Sequence, residues 1–176
     1  MMRLFVGLAL PAPVTAALLG AMGGVAGARW QRAEQLHLTL RFIGAVDRHQ
    51  AQDIAAALGR VNIRPFTAEL GEAGHFDHRG RIDSLWVGVR PADRLAALAK
   101  AVDAALAGVG IARETRAFVP HITLARGRTM LGAAGWPQAP LPRIGWTVDQ
   151  IALFESRMGK DGSDYEVIAR WPARPA

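Results

Sequence analysis

Short apolar runs punctuate this chain at intervals that suit strands. Leu4-Phe5-Val6, Leu36 to Ile43, Leu85-Trp86-Val87 and Val119 to Leu124 are bounded by Gly, Pro or polar residues. Such runs, several with alternate residues apolar, read as strands with one face buried. Strands are expected near 3–9, 36–43, 65–73, 83–89, 119–126, 146–154 and 164–170. Elsewhere the spacing becomes helical. Val14, Leu18, Ala21 and Met22 share one face, as do Ala51, Ile54, Ala55 and Leu58, and Leu95, Leu98, Val102 and Leu106. Helices are expected near 12–22, 47–59 and 91–107. Pro11 and Pro91 open the first and third, where a missing N–H costs nothing, and Asp47 is an N-cap for the second. Loops are expected at 23–29, 75–81 and 129–145, the last holding Pro137, Pro140 and Pro142. The mixed order of strands and helices, with short strand connections, predicts an α+β fold with mainly antiparallel pairing.

The pattern repeats. Leu4-Phe5-Val6-Gly7 recurs 81 residues later as Leu85-Trp86-Val87-Gly88, each copy followed by a proline and an Ala/Leu-rich helix. His37-Leu38-Thr39-Leu40 recurs 84 residues later as His121-Ile122-Thr123-Leu124. Phe66-Thr67 is echoed 80 residues later by Trp146-Thr147. A near-constant offset over three matches predicts a duplicated β-α-β-(α)-β unit, with copies at about 3–82 and 83–171 of one domain spanning 1–176. With no linker between the copies, the expected architecture is bilobal: two mainly antiparallel sheets flank a central groove, with helices outside.

Composition narrows the classes. At 176 residues, 51% hydrophobic and 20% charged, the chain can bury a sizeable core. No apolar run reaches the roughly 18 residues of a membrane span, and Met1 to Pro11 lacks the cleavage region of a signal peptide. The expected location is the cytoplasm, away from membranes, and the expected state is a monomer. The absence of cysteine excludes disulfides, thiolate metal sites and cysteine nucleophiles. A net charge of +6 and a pI near 11.1 favour polyanionic partners such as RNA or nucleotides.

The two His-x-Thr-x tetrads carry the chemistry. On a strand, alternate side chains share a face. Each tetrad therefore aims an imidazole and a hydroxyl one way and two aliphatics the other. If the two strands lie side by side, two His and two Thr converge on one site. A phosphate between them could be flanked by a neutral imidazole as base and a protonated one as acid. Thr39 and Thr123 would hold non-bridging oxygens. Arg126 is a natural anion partner. It has the opposite parity to His121, so it reaches the site only if the strand twists or ends there. Arg41 shares a face with His37 and Thr39 by the same count, and could steer an RNA backbone. Among the aromatics, Phe118 at the start of its strand is the one expected to line the groove.

Other candidates are weaker. His75 and His78 have no third ligand at metal-site spacing, so no metal is expected, and the pair reads as a solvated loop. His49 reads as a surface residue. Gly23, Gly24 and Gly27 match neither a P-loop nor a dinucleotide fingerprint. Ser84, Ser156 and Ser163 lack the nucleophile-elbow pattern of serine hydrolases.

The segments Gln35 to Gly44 and Phe118 to Arg126 closely resemble the paired motifs of the 2H phosphoesterases, and within them the 2′-5′ RNA ligase family of RNA 2′,3′-cyclic phosphodiesterases. Arg3-Leu4-Phe5-Val6, Leu85-Trp86-Val87-Gly88 and Leu153-Phe154-Glu155-Ser156 through Tyr165 extend the resemblance over nearly the whole chain. It implies a bilobal α+β fold and cofactor-free, metal-independent hydrolysis of RNA 2′,3′-cyclic phosphate ends to 2′-phosphates. On that pattern His37 protonates the departing 3′-oxygen and His121 activates water, although the residues alone leave the two roles interchangeable. Members commonly carry Asp where this chain has Ala9. The alternatives are 2′-5′ ligation or 2′-5′ phosphodiester cleavage at the same residues, and a non-catalytic RNA- or nucleotide-binding module.

Overall fold

A computed structural model describes residues 1–174. The strands are β1 (Met2–Ala9), β2 (Arg29–Trp30), β3 (His37–Val46), β4 (Phe66–His78), β5 (Arg81–Arg90), β6 (His121–Arg126), β7 (Gly145–Val148), β8 (Gln150–Gly159) and β9 (Gly162–Pro172). The helices are α1 (Ala12–Ala21), α2 (Arg48–Leu58) and α3 (Ala92–Ala107), with short 3-10 turns at Ala33–Gln35 and Ala133–Gly135. Pro11 and Pro91 occupy the N-caps of α1 and α3, and the Asp47 carboxylate accepts from the Gln50 N–H at 2.8 Å at the start of α2.

The fold is α+β, and its strand pairs are antiparallel. The strands form one nine-stranded sheet in the order β7-β4-β5-β6-β3-β1-β8-β9, with β2 added beside β6. This corrects the expectation of two sheets. The two halves of the path are joined where β3 meets β6, at the single pair Leu38↔Ile122. The sheet also curls: β7 lies at one end of the path, yet only Asp149 separates it from β8 near the other. The run 146–154, expected as one strand, is thus two strands serving opposite halves.

Period-two alternation sorts the side chains of β1. Leu4, Val6 and Leu8 enter the main core with Val14 and Leu18 of α1, Ile54 and Leu58 of α2, and Leu95, Val102 and Leu106 of α3. Phe5 points to the other face and, with Ala152 and Phe154, forms a second buried cluster flanked by Ala9, Tyr165 and Val167. The helices therefore cover one face of the sheet near β1 and β3, and the tetrads line the other. The segment 75–81, expected as a loop, is mostly strand. β4 and β5 run out to a two-residue turn at Arg79 (φ 53°) and Gly80 (φ 76°), the primed geometry of a tight hairpin.

Candidate active site

The Leu38↔Ile122 pair puts the two tetrads side by side. Continuing that antiparallel register sets His37 against Thr123 and Thr39 against His121. Each imidazole therefore faces the threonine of the other copy, with the histidines on the diagonal, about 7–8 Å between backbones. Leu38 and Ile122 are fully buried beneath, while His37, Thr39, His121 and Thr123 are each half-buried on the groove face.

Both rings are held in the same way. His37 Nδ1–H donates to the Gln35 carbonyl at 2.7 Å, and His121 Nδ1–H to the Val119 carbonyl at 2.6 Å. A carbonyl only accepts, so each Nδ1 carries the proton and each Nε2 is left for the groove. His37 Nε2 meets Thr39 Oγ1 at 3.0 Å. Both supporting carbonyls lie two residues before their histidine, so the 84-residue offset extends to the device that fixes the tautomers.

An aromatic floor lies beneath each ring. Phe5 stacks on Phe154 at 4.8 Å, and the His37 ring sits 4.7 Å from Phe5 and 4.9 Å from Tyr165. His121 lies 5.7 Å from Trp86 and meets Phe76 edge-on at 5.0 Å. Trp86 occupies the place of Phe5 in the second copy. Its larger indole covers Gly74, where a Cβ would fall 2.2 Å from the ring, and its Nε1 is buried without a partner. Burial against these walls is the main cause that holds His37 down to about 4. The Gln35 carbonyl opposes this, and the charges of Arg126 and His121 add to it. Burial also lowers His121, opposed by the Val119 carbonyl and reinforced by Arg126. In the free protein both imidazoles are therefore neutral at pH 7.

Arg126 reaches this neighbourhood despite its parity. Along β5–β6, Trp86 pairs with Thr123 but Leu85 pairs with Ala125, so Leu124 is an extra residue, and Leu124 and Ala125 are both buried. This bulge turns Arg126 onto the histidine face. The opposite happens in β3. There Gly7 pairs with Thr39 and Val6 with Arg41, leaving Leu40 extra. Arg41 is thereby turned away from the His37 face and packs toward α3, a correction to the simple strand count. Its guanidinium bonds Asp103 at 2.8 Å, lies 3.8 Å from Glu114, and donates to the Phe42 and Ala112 carbonyls. Phe42, 53% exposed and 5.6 Å from Phe5, takes the groove face instead.

Where β3 and β6 splay beyond their single pair, a cavity of about 510 Å³ opens. Thr39, His121, Phe42, Phe76 and Phe118 line it, with Arg41 and Arg116. Phe118 is thus at the cavity, as expected. Phe5, Trp86, Phe76, Phe42 and the carbonyls of Gln35 and Val119 had not been singled out as parts of the site. Only the matched −2 positions carried a signal for the carbonyls. His75 and His78 lie on β4, and the described residues hold no cluster of three His, Asp or Glu suited to a metal ion.

Fold and site together define a class: an antiparallel α+β protein presenting a histidine–threonine pair twice on one groove, the layout of the 2H phosphoesterases. The chain belongs to the 2′-5′ RNA ligase superfamily, whose family model matches residues 22–160. Among curated relatives, the RNA 2′,3′-cyclic phosphodiesterase of Escherichia coli is 32% identical over 142 residues, 79% of this chain and 76% of that protein. That of Thermotoga maritima is 32% identical over 148 residues, 81% of this chain and 78% of its own length. The crystal structure of Escherichia coli LigT in apo form superposes with a TM-score of 0.82 at 28% identity, covering 99% of this chain and 98% of that one. LigT complexed with 3′-AMP gives a TM-score of 0.79 at 27% identity, covering 99% of both chains.

Proposed function

We propose that this protein is an RNA 2′,3′-cyclic phosphodiesterase, opening the cyclic phosphate at an RNA 3′ end to a 2′-phosphate by acid–base catalysis between His37 and His121. The observation that carries the reading is the duplicated ring geometry: two imidazoles with Nδ1 protonated and Nε2 left for one groove, a threonine beside each. Water attacks phosphorus, and His121 takes its proton. The P–O3′ bond breaks, and His37 gives its proton to O3′. The neutral His121 of the free protein suits the base. His37 must gain a proton before it can act as acid, and a bound phosphate anion favours that by offsetting Arg126. Thr39, Thr123 and Arg126 hold the non-bridging oxygens. Arg41 has its donors engaged by Asp103 and nearby carbonyls, so its contribution is to shape the cavity beside Phe118, where the terminal base is accommodated.

The repeat units 3–82 and 83–171 act as two lobes of one domain, each supplying one histidine, so a single chain suffices and the enzyme works as a monomer. No helix among the described residues is long and apolar enough to cross a membrane. RNA ends in the cytoplasm are the proposed substrate. The test is incubation with a nucleoside 2′,3′-cyclic phosphate in EDTA, followed by identification of the product. The 2′-monophosphate is expected, and its loss in both His37→Ala and His121→Ala, each still folded by circular dichroism. Full activity in either variant refutes the assignment. Turnover of 2′-5′-linked RNA in preference to the cyclic phosphate would favour the ligase direction instead.

A further inference from the structure

At the His37 end of the groove, two arginines stand opposite one another. β2 is only two residues long, and its register sets Arg29 directly against Arg126. Cross-strand partners share a face, so Arg29 lies on the histidine side of the sheet. Like charges facing each other across a strand pair are destabilising unless an anion relieves them. No acid does so here: both arginines are exposed, and neither makes an ion pair or a side-chain hydrogen bond among the described residues. The other arginines near the cavity are paired, Arg41 with Asp103 and Arg116 with Glu114. β2 is instead held in place by the Gln31 N–H donating to the Leu124 carbonyl at 2.8 Å and by Trp30 packing on Trp136. An unpaired cation is thus fixed beside a site that already holds one.

Arg126 follows Thr123 by three residues, one of them the bulge, so it lies about 6.6 Å further along the strand, and Arg29 about 4.8 Å to its side. The aromatic cavity lies at the other end, beyond His121 and Thr39. We infer that Arg29, beside Arg126, forms a second phosphate site that takes the phosphate on the 5′ side of the terminal nucleotide, so that the enzyme selects phosphorylated or chain-linked ends over bare nucleosides. The inference rests on the cyclic-phosphodiesterase reading and sharpens its substrate class. The shared chemistry is a second phosphate one nucleotide from the reacting one, whether a 5′-monophosphate or an internal phosphodiester.

The experiment compares kcat/KM on three substrates: a nucleoside 2′,3′-cyclic phosphate, the same compound with a 5′-phosphate, and a dinucleotide ending in a cyclic phosphate. A charge-assisted contact predicts a preference of about tenfold or more for the second phosphate in the wild type. Arg29→Gln should bring the ratio to within about twofold, and Arg29→Lys should keep most of it. The salt dependence for the doubly phosphorylated substrates should flatten by about 0.7 in the log–log slope in Arg29→Gln. Preference for the dinucleotide alone assigns the site to an internal phosphodiester, and preference for both assigns it to either source. Equal rates on all three wild-type substrates overturn this inference while leaving the parent reading intact, and so does a preference that survives Arg29→Gln. Turnover of none of the three overturns the parent reading and this one with it.

Discussion

Replacing Ala9 by Asp sets a carboxylate across the strand pair from His37. Ala9 is the register partner of His37, and it flanks the Phe5–Phe154 cluster on the groove face, half-buried. His37 is held at about 4 against an ordinary 6.5, a depression of about 2.5 units or ~3.4 kcal/mol. At pH 7 only about one free molecule in a thousand carries the proton. An opposite charge within about 4–6 Å favours the charged form by roughly 1–3 units. Ala9→Asp is therefore expected to recover much or all of the depression and to raise the protonated fraction at neutral pH by about tenfold or more. Imidazole Cε1–H resonances followed by NMR titration read this directly in the free protein. His121 serves as the internal comparison, because it lies on the far strand and should move less. Ala9→Asn separates charge from size and hydrogen bonding. A His37 pKa that Asp leaves unchanged, or that Asn raises equally, refutes the account in which burial and uncompensated positive charge set the value.

The same depression has a consequence for stability. Above pH 6.5 His37 is neutral folded and unfolded, so it contributes nothing. As pH falls from 6.5 toward 4 the unfolded chain takes up a proton that the folded chain refuses, and stability drops by ~1.4 kcal/mol per unit, about 3 kcal/mol in all. Denaturant unfolding at pH 7 and 4.5 should show His37→Gln losing about 2–3 kcal/mol less than the wild type, and equal losses would count against the folded-state value. Gly74→Ala drives a methyl group into the Trp86 indole at 2.2 Å. Overpacking of this kind costs roughly 1–3 kcal/mol, and each kcal/mol lowers Tm by about 2–4 °C in a chain of this size. Turnover should fall as well, since the indole floors His121, and an unchanged Tm would mean that the indole does not lie over Gly74.

What the chain revealed before its structure, and what it withheld, divides along one physical line. Strict alternation oriented the tetrads, and helical spacing located all three helices, because each element has one face in the core. The β4–β5 hairpin beyond Gly74 was missed because it projects past the core: Phe76, Asp77, His78, Arg79, Gly80 and Arg81 are all exposed, so no alternation remains to be read. The break at Asp149 was missed because β7 and β8 each bury alternate residues, so the run stays periodic while the chain crosses from one half to the other. Two bulges were invisible for a related reason: an extra leucine in an apolar strand looks like one more core residue. Yet these bulges break the symmetry that the duplicated motif suggests. Leu124 brings Arg126 onto the histidine face, and Leu40 removes Arg41 from it. The site therefore has one cation where a faithful repeat would have two, and it lies nearer the His37 end. An anion held there is off-centre between two otherwise matched imidazoles. That asymmetry, rather than any difference between the tetrads, gives a physical basis for His37 and His121 taking different roles.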